Sequence, residues 1–430
     1  MPAVTGHADR GAVFRGGVLA SLGHRDYLLY WCGALLSNVG TWIQTTALLW
    51  YVRERYGSDA WVGAVNLVGY LPVLLFVLYA GLLADSFDRK RLIMLTQGVM
   101  LLSALSLGIC MSLGVASLPV IMVISSVAGI AFAFSFAPIQ ALLPDLVPEG
   151  EMLNALALNS AQFNLGRVIG PALGALVISW KLDAAFYLNA ASFAAVIAAV
   201  GVTHPRRRPP ETSPQRAWCH IREGLSFVAS RRWMVAALAA MSTASFFGFA
   251  CIILFPSLAV EVLERGPGAY GLLLTSLGLG AVAGAPLVSL LGRRLIEGRV
   301  VKLSLLALGA CLMVLADFRL YWLSCLASAG VGCSFLMLGS AVNTALQSRS
   351  EPGLRGRVVS IYIMSYIGIF PLGGQALGWL ADWRSTPFAL GLGGVACLLA
   401  AILLLVVRGS LALADSRLGP EGYPRSCVSG

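Results

Sequence analysis

The feature that most constrains this chain is its repeated succession of apolar runs, each long enough to cross a lipid bilayer as a helix. Such a crossing takes about 20 mostly apolar residues at 1.5 Å each. Twelve runs of that kind fall at 28–52, 61–84, 92–113, 118–142, 154–179, 184–203, 233–257, 270–292, 300–316, 320–346, 358–381 and 387–407. Hydrophobic residues make up 58% of the chain and charged ones 12%, more apolar surface than a soluble domain can cover. The expected class is therefore an all-α integral membrane protein.

An even number of crossings leaves both termini on one side. The tails and the loops on their side hold 23 of the 30 Lys and Arg, and the opposite loops hold six: Arg53, Arg55, Lys181, Arg265, Arg319 and Arg384. By the positive-inside rule both termini are expected in the cytoplasm, with the chain in the cell inner membrane. The net charge of +10 is then a topology signal and no sign of nucleic acid. The remaining basic residue, Arg167, stands inside a run.

Residues 204–232 split the spans into two sets of six. They open on HPRRRPPETSP and continue with Trp218, Ile221, Leu225 and Val228 at helical spacing between arginines, which predicts an amphipathic interfacial helix. The expected organisation is a tail (1–27), a six-helix bundle (28–203), this linker (204–232), a second bundle (233–407) and a tail (408–430). At an offset of 204 the halves coincide at Ala141/Ala345, Pro148/Pro352, Gly170/Gly374, Ala172/Ala376, Leu173/Leu377, Gly174/Gly378 and Arg89/Arg293. Two parallel six-helix repeats joined on the cytoplasmic side describe a rocking secondary transporter with its substrate site between the halves.

Residues 164–174, NLGRVIGPALG, combine a charge, a packing seam and a proline. Gly166, Gly170 and Gly174 share one helix face and permit close backbone approach. Pro171 removes a backbone donor and predicts a bend. Ser160, Asn164 and Arg167 lie at i, i+4 and i+7, one polar face. No acidic residue lies mid-span to pair with Arg167, so an anionic group on a substrate could serve as its counter-charge, with a structural ion pair or a plug between helices as the alternative.

The loop GLLADSFDRKR at 81–91 resembles the signature loop of the major facilitator superfamily, and 164–174 matches that superfamily's GxxxGPxxG fifth-helix pattern. RDYLLYWCGALLSNVGTWIQ at 25–44, ALLPDLVP at 141–148 and EPGLRGRVVSIY at 351–362 are similar to its transmembrane secretion effector branch, which contains enterobactin-type siderophore exporters and macrolide efflux proteins. The resemblance runs from Arg25 to Val407 and implies proton antiport with alternating access. It implies a gating loop of Gly81, Asp85, Asp88, Arg89 and Arg91, with Asp85 engaging the start of the eleventh helix at Arg357. Asp88 departs from the superfamily's glycine and is expected to neutralise part of the basic cluster. The spans that line the pathway in the family point to Asn38, Thr41, Asn343, Tyr362 and Tyr366 as cavity candidates beside Asn164 and Arg167. Phe132, Phe134, Phe136, Phe246 and Phe247 read as packing.

Other chemistries find no support in the residues. There is no GxxxxGK[ST] loop, and Gly278-x-Gly280 and Gly391-x-Gly393 sit in apolar helices. The nine cysteines show no CxxC spacing and no disulfide framework is expected. No histidine (His7, His24, His204, His220) falls inside a run, so none is expected as a proton relay within the membrane; with no metal-ligand cluster and no nucleophile–base arrangement in the sequence, no metal, cofactor or enzyme activity is expected. The expected partners are a small amphiphilic or anionic molecule (siderophore, antibiotic or drug-like), a proton as coupling ion and the lipid bilayer, and a monomer suffices. Uptake, uncoupled facilitation and a non-transport membrane module that kept the fold stand as alternatives.

Overall fold

The computed structural model describes residues 19–204, 225–292, 297–351 and 354–406, without the side chains of 77–86, 136–137, 149, 285, 289–292 and 297. Twelve long helices run through the described residues: α1 (Arg25–Tyr56), α2 (Asp59–Ser86), α3 (Arg89–Ser112), α4 (Leu118–Leu146), α5 (Met152–Trp180), α6 (Ala184–Val202), α7 (Arg232–Val262), α8 (Pro267–Gly292), α9 (Glu297–Asp317), α10 (Tyr321–Ser348), α11 (Arg355–Trp383) and α12 (Thr386–Val406). Several outrun their apolar cores by a turn, because the apolar stretch marks only the part matched to hydrocarbon. Eleven are long and apolar enough to span a membrane. The other, α1, carries Asn38, Thr41, Gln44, Thr45 and Thr46 in its middle and charges at both ends, which lowers its hydropathy.

The two repeats pack alike. In the first, α2 lies on α4, α3 on α4 and α6, and α1 on α5 and α6. In the second, α8 lies on α10, α9 on α10 and α12, and α7 on α11 and α12. The halves meet through α5 against α8 and α2 against α11, the two contacts a pseudo-two-fold axis interconverts. This is the all-α, two-repeat architecture the apolar runs and the 204-residue offset predict.

The end where α1 starts is called proximal below, and the end where it stops distal. Trp61, Trp180, Trp322, Trp379 and Trp383 stand exposed at distal helix ends, the arrangement of an interfacial aromatic belt. α5 is helical throughout, Pro171 included. The irregular helices are α7, with π-turns at Ala244–Gly248 and Leu258–Val262, and α11, with one at Met364–Gly368. Such turns free backbone groups. Ser245 in the first donates to the carbonyl of Tyr366 in the last, at 2.7 Å. Residues 205–224, most of the expected interfacial linker, lie outside the described residues. Past them, Phe227 and Val228 are buried in the large apolar core that runs through both halves.

Candidate functional site

The glycine seam of α5 faces α1. A Cβ added to Gly166 would stand 2.9 Å from the Asn38 Cβ, and one on Gly174 would stand 3.0 Å from the Thr46 Cβ. Only glycine lets these helices approach so closely, and the approach carries Arg167 to the joint between the halves. Its backbone carbonyl lies against Gly278 of α8, where an added Cβ would stand 2.8 Å away.

Arg167 is 6% exposed, and its Nε has no hydrogen-bond partner. Aromatic faces surround the guanidinium instead. Its carbon lies 4.7 Å from the ring centre of Phe249 on α7 and 5.7 Å from that of Trp42 on α1. A desolvated cation over a ring gains roughly 2 kcal/mol, less than a paired carboxylate would supply inside protein. Phe249 belongs to the second half, so this contact crosses the interface.

Phe249 begins a run of stacked rings. It lies 4.5 Å from Phe335 on α10, which lies 5.2 Å from Tyr366, which lies 5.8 Å from Tyr362. Phe370 packs on Phe249 at 5.4 Å and on Tyr70 of α2 at 6.0 Å. The Tyr362 hydroxyl donates to the Gly339 carbonyl at 3.1 Å. The candidates Tyr362, Tyr366 and Arg167 are thus joined, through two phenylalanines absent from the expected set.

The polar candidates divide. The Asn38 amide donates to the side-chain oxygen of Gln162 at 2.8 Å, and Gln162 is 3% exposed. Asn164 spends its amide on the Ser160 carbonyl at 2.9 Å, so the predicted polar face is partly closed on itself. Thr41 is half-buried on α1 beside Trp42. Asn343 accepts from the Gln347 amide at 2.9 Å. It lies two turns beyond Phe335, about 12 Å along α10 and away from Arg167. Trp42, Gln162, Phe249 and Phe335 were not legible as site residues, since each reads as one more helix-packing side chain.

At the proximal end Asp88 caps α3, its carboxylate accepting the backbone N–H of Arg91 at 2.9 Å. The N-cap satisfies one of the free N–H groups at the start of α3. Arg89 instead pairs with the buried Asp145 of α4 at 2.8 Å and donates to the Ala141 carbonyl. Lys90 donates to the carbonyls of Gly201 and Thr203, tying α3 to the end of α6. The side chains of Gly81 and Asp85 lie outside the described residues, and with them the expected Asp85–Arg357 contact. Arg357 is half-buried at the start of α11.

Comparison with known proteins agrees with this architecture. The family model described as transmembrane secretion effector matches residues 16–420. Similar curated proteins include the Staphyloferrin A transporter of Staphylococcus aureus (strain NCTC 8325 / PS 47), 24% identical over 82% of this chain and 89% of that protein. The multidrug efflux pump Tap of Mycolicibacterium fortuitum is 27% identical over 83% and 89%, and macrolide efflux protein A of Streptococcus pyogenes is 25% identical over 77% and 83%. Among solved structures, the nucleoside transporter NupG matches with a TM-score of 0.69 at 13% identity, covering 88% of this chain and 98% of its own. A POT family transporter in complex with 5-aminolevulinic acid matches with a TM-score of 0.71 at 11% identity, covering 89% and 96%. With a family match spanning nearly the whole chain and the paired six-helix repeats beneath it, this multi-pass membrane protein belongs to the transmembrane secretion effector family of major facilitator superfamily transporters.

Proposed function

We propose that the protein is a secondary active exporter that moves a small amphiphilic or anionic compound out of the cytoplasm by proton antiport and alternating access. The observation that carries this reading is Arg167: a buried guanidinium that, among the described residues, has no carboxylate partner and lies against one ring from each half. A static scaffold has no use for an uncompensated charge at a sliding interface, because it costs several kcal/mol relative to an apolar residue. A carrier can use it, since substrate supplies the missing charge and the halves move as it binds.

In this reading the bundles 28–203 and 233–407 rock about the α2–α11 and α5–α8 contacts. The proximal end, with its excess of Lys and Arg, faces the cytoplasm, and so do both termini. Arg167, Trp42, Phe249, Gln162, Asn38 and the Tyr362–Tyr366 pair form the substrate site. Asn164 and Asn343 flank it towards the proximal mouth, and Thr41 lies on α1 between Asn38 and Trp42. The 81–91 loop, with Asp85 towards Arg357, gates that mouth, and a monomer carries the whole cycle. The similarity to the multidrug efflux pump Tap and to macrolide efflux protein A supports export, and that to the Staphyloferrin A transporter supports a small-molecule substrate.

The test is accumulation in a strain lacking the gene, across a panel of siderophores, macrolides and amphiphilic dyes. At least one compound should accumulate above the parent and return to the parental level on complementation. Lower accumulation in the deletion strain would reverse the direction to uptake. An unchanged panel would remove the exporter reading.

A further inference from the structure

The distal end holds a second charged group that spans both halves. α1 stops at Gly57, whose φ of 64° turns the chain and brings Arg53 back over the first turn of α2. Arg53 Nε lies 3.5 Å from Asp59 Oδ1. The same guanidinium donates to Ser257 and pairs with Glu261, both on α7, while the Ser257 hydroxyl donates to Asp59. From α11, Asp382 accepts the backbone N–H groups of Asp59 at 2.7 Å and Ala60 at 3.1 Å, and the Ser58 hydroxyl as well. A carboxylate of the second half thereby caps a helix of the first.

Two carboxylates, Asp59 and Glu261, share one guanidinium here, and Asp382 stands beside them on the N-terminus of α2. Asp59 is 2% exposed, with the 47%-exposed Glu261 side chain at the rim beside it, and like charges held this close disfavour ionisation of both. The hydroxyls add a count of hydrogens. Thr386, 1% exposed at the start of α12, has its oxygen 3.3 Å from Asp59 Oδ2 and also 3.3 Å from Glu261 Oε2. A threonine hydroxyl has one hydrogen, so it can donate to only one carboxylate. The other contact becomes a hydrogen bond only if that carboxyl carries a proton and donates to the hydroxyl. Ser257 cannot supply one, because its hydrogen already goes to Asp59 and its lone pair receives Arg53. With one proton present, Arg53 balances the remaining charge of the Asp59–Glu261 pair, and the N-terminus of α2 offsets Asp382.

We propose that the distal clasp binds one proton shared between Asp59 and Glu261, and that this proton locks the two halves together. The proposal rests on the alternating-access reading above, because a lock between the halves has a role only if they part. The groups facing the pair are Arg53 from α1, Ser257 from α7, Asp382 from α11 and Thr386 from α12. Glu54 and Arg55 point to solvent, and Arg384 is turned onto the Phe388 ring. An open clasp takes a proton from the distal medium and closes, and the proton returns to that medium when the clasp opens. Acid on the distal side therefore favours closure, and alkali loosens it.

Hydrogen exchange read by mass spectrometry on the full chain in lipid nanodiscs, without substrate, tests this. Protection at the α2 N-terminus, corrected for intrinsic exchange, should fall as the pH is raised, by at most about tenfold per pH unit for one proton. Asp59→Asn and Glu261→Gln should each flatten that slope. A parent with no slope, or a folded variant that keeps it, overturns the proposal; if one variant fails to fold, the other decides. A slope without proton-driven transport would reject the exporter reading and keep the clasp. Proton-driven transport with no slope would reject the clasp alone.

Discussion

Gly63→Ala separates conformational bias from stability. Gly63 on α2 faces α11 across the interface between the halves, and an added Cβ would stand 2.9 Å from the Gln375 Cα, 2.9 Å from the Gly374 oxygen and 3.2 Å from the Gln375 nitrogen. All three are backbone atoms, so no side chain can swing aside. Non-bonded carbons rest at about 3.5–4.0 Å, so α2 and α11 must part by roughly 0.6–1 Å. Overpacking of that size costs about 1–3 kcal/mol. The cost falls only on the distal-closed state, because the contact is lost once the halves part. The gain in helix propensity from alanine, about 1 kcal/mol, is common to both states and cancels. The closed population should fall about 5- to 150-fold relative to open. Hydrogen exchange should show deprotection at 58–66 and 372–383 together, on opposite halves. Gly166→Ala is the control. Its Cβ would meet Asn38 within one half, so it should lower the melting temperature and leave the distal peptides protected. Unchanged exchange in Gly63→Ala, or equal deprotection in the control, would refute the reasoning.

Other perturbations read different parts of the account. Arg167→Gln removes the charge and Arg167→Lys keeps it without the planar face, so anionic substrates should lose export in the first and retain part of it in the second; parental transport by both would reduce the residue to packing. Asp145→Ala strands Arg89, 25% exposed, in place of a 2.8 Å pair, and breaking such a pair should cost about 1–3 kcal/mol in thermal unfolding. Asp85→Asn should slow transport if the 81–91 loop gates the proximal end, and unchanged flux removes that role. Asp183 sits in the turn between α5 and α6. Burial pushes its carboxyl up, but the Ser112 hydroxyl and the Lys181 charge outweigh this and hold it below the usual aspartate range. A depressed carboxyl stabilises the fold above its unfolded pKa and loses that effect as pH falls through the folded value. Asp183→Asn should therefore melt earlier than the parent at neutral pH, and the gap should close in acid below about pH 4.

The span count, the repeat and the buried arginine were legible because each rests on local physics. Hydrocarbon thickness sets the run length, a fixed offset reveals duplication, and a lone guanidinium in an apolar run must be shielded. What surrounds the arginine was not legible. Phe249 is one of 18 phenylalanines in the chain, and its identity as a partner depends on how α7 packs on α5. Where the distal clasp crosses between the halves it joins residues 198 to 327 positions apart, beyond any spacing rule. Asp88 is a case where the signal was present, since an aspartate just before a new helix reads as a cap. Sequence symmetry also concealed a difference. Gly174 meets Thr46 inside its own half, whereas its counterpart Gly378 meets the backbone of Asp59 and Ala60 in the other.

The account stands most directly on substrate flux into inside-out membrane vesicles, measured with and without an imposed pH gradient. An acid lumen should drive uptake of an exported compound against its own gradient, and collapsing the gradient with a protonophore should abolish that uptake while leaving binding intact. Flux that ignores the gradient, or runs only down the substrate's own gradient, would contradict proton-coupled export.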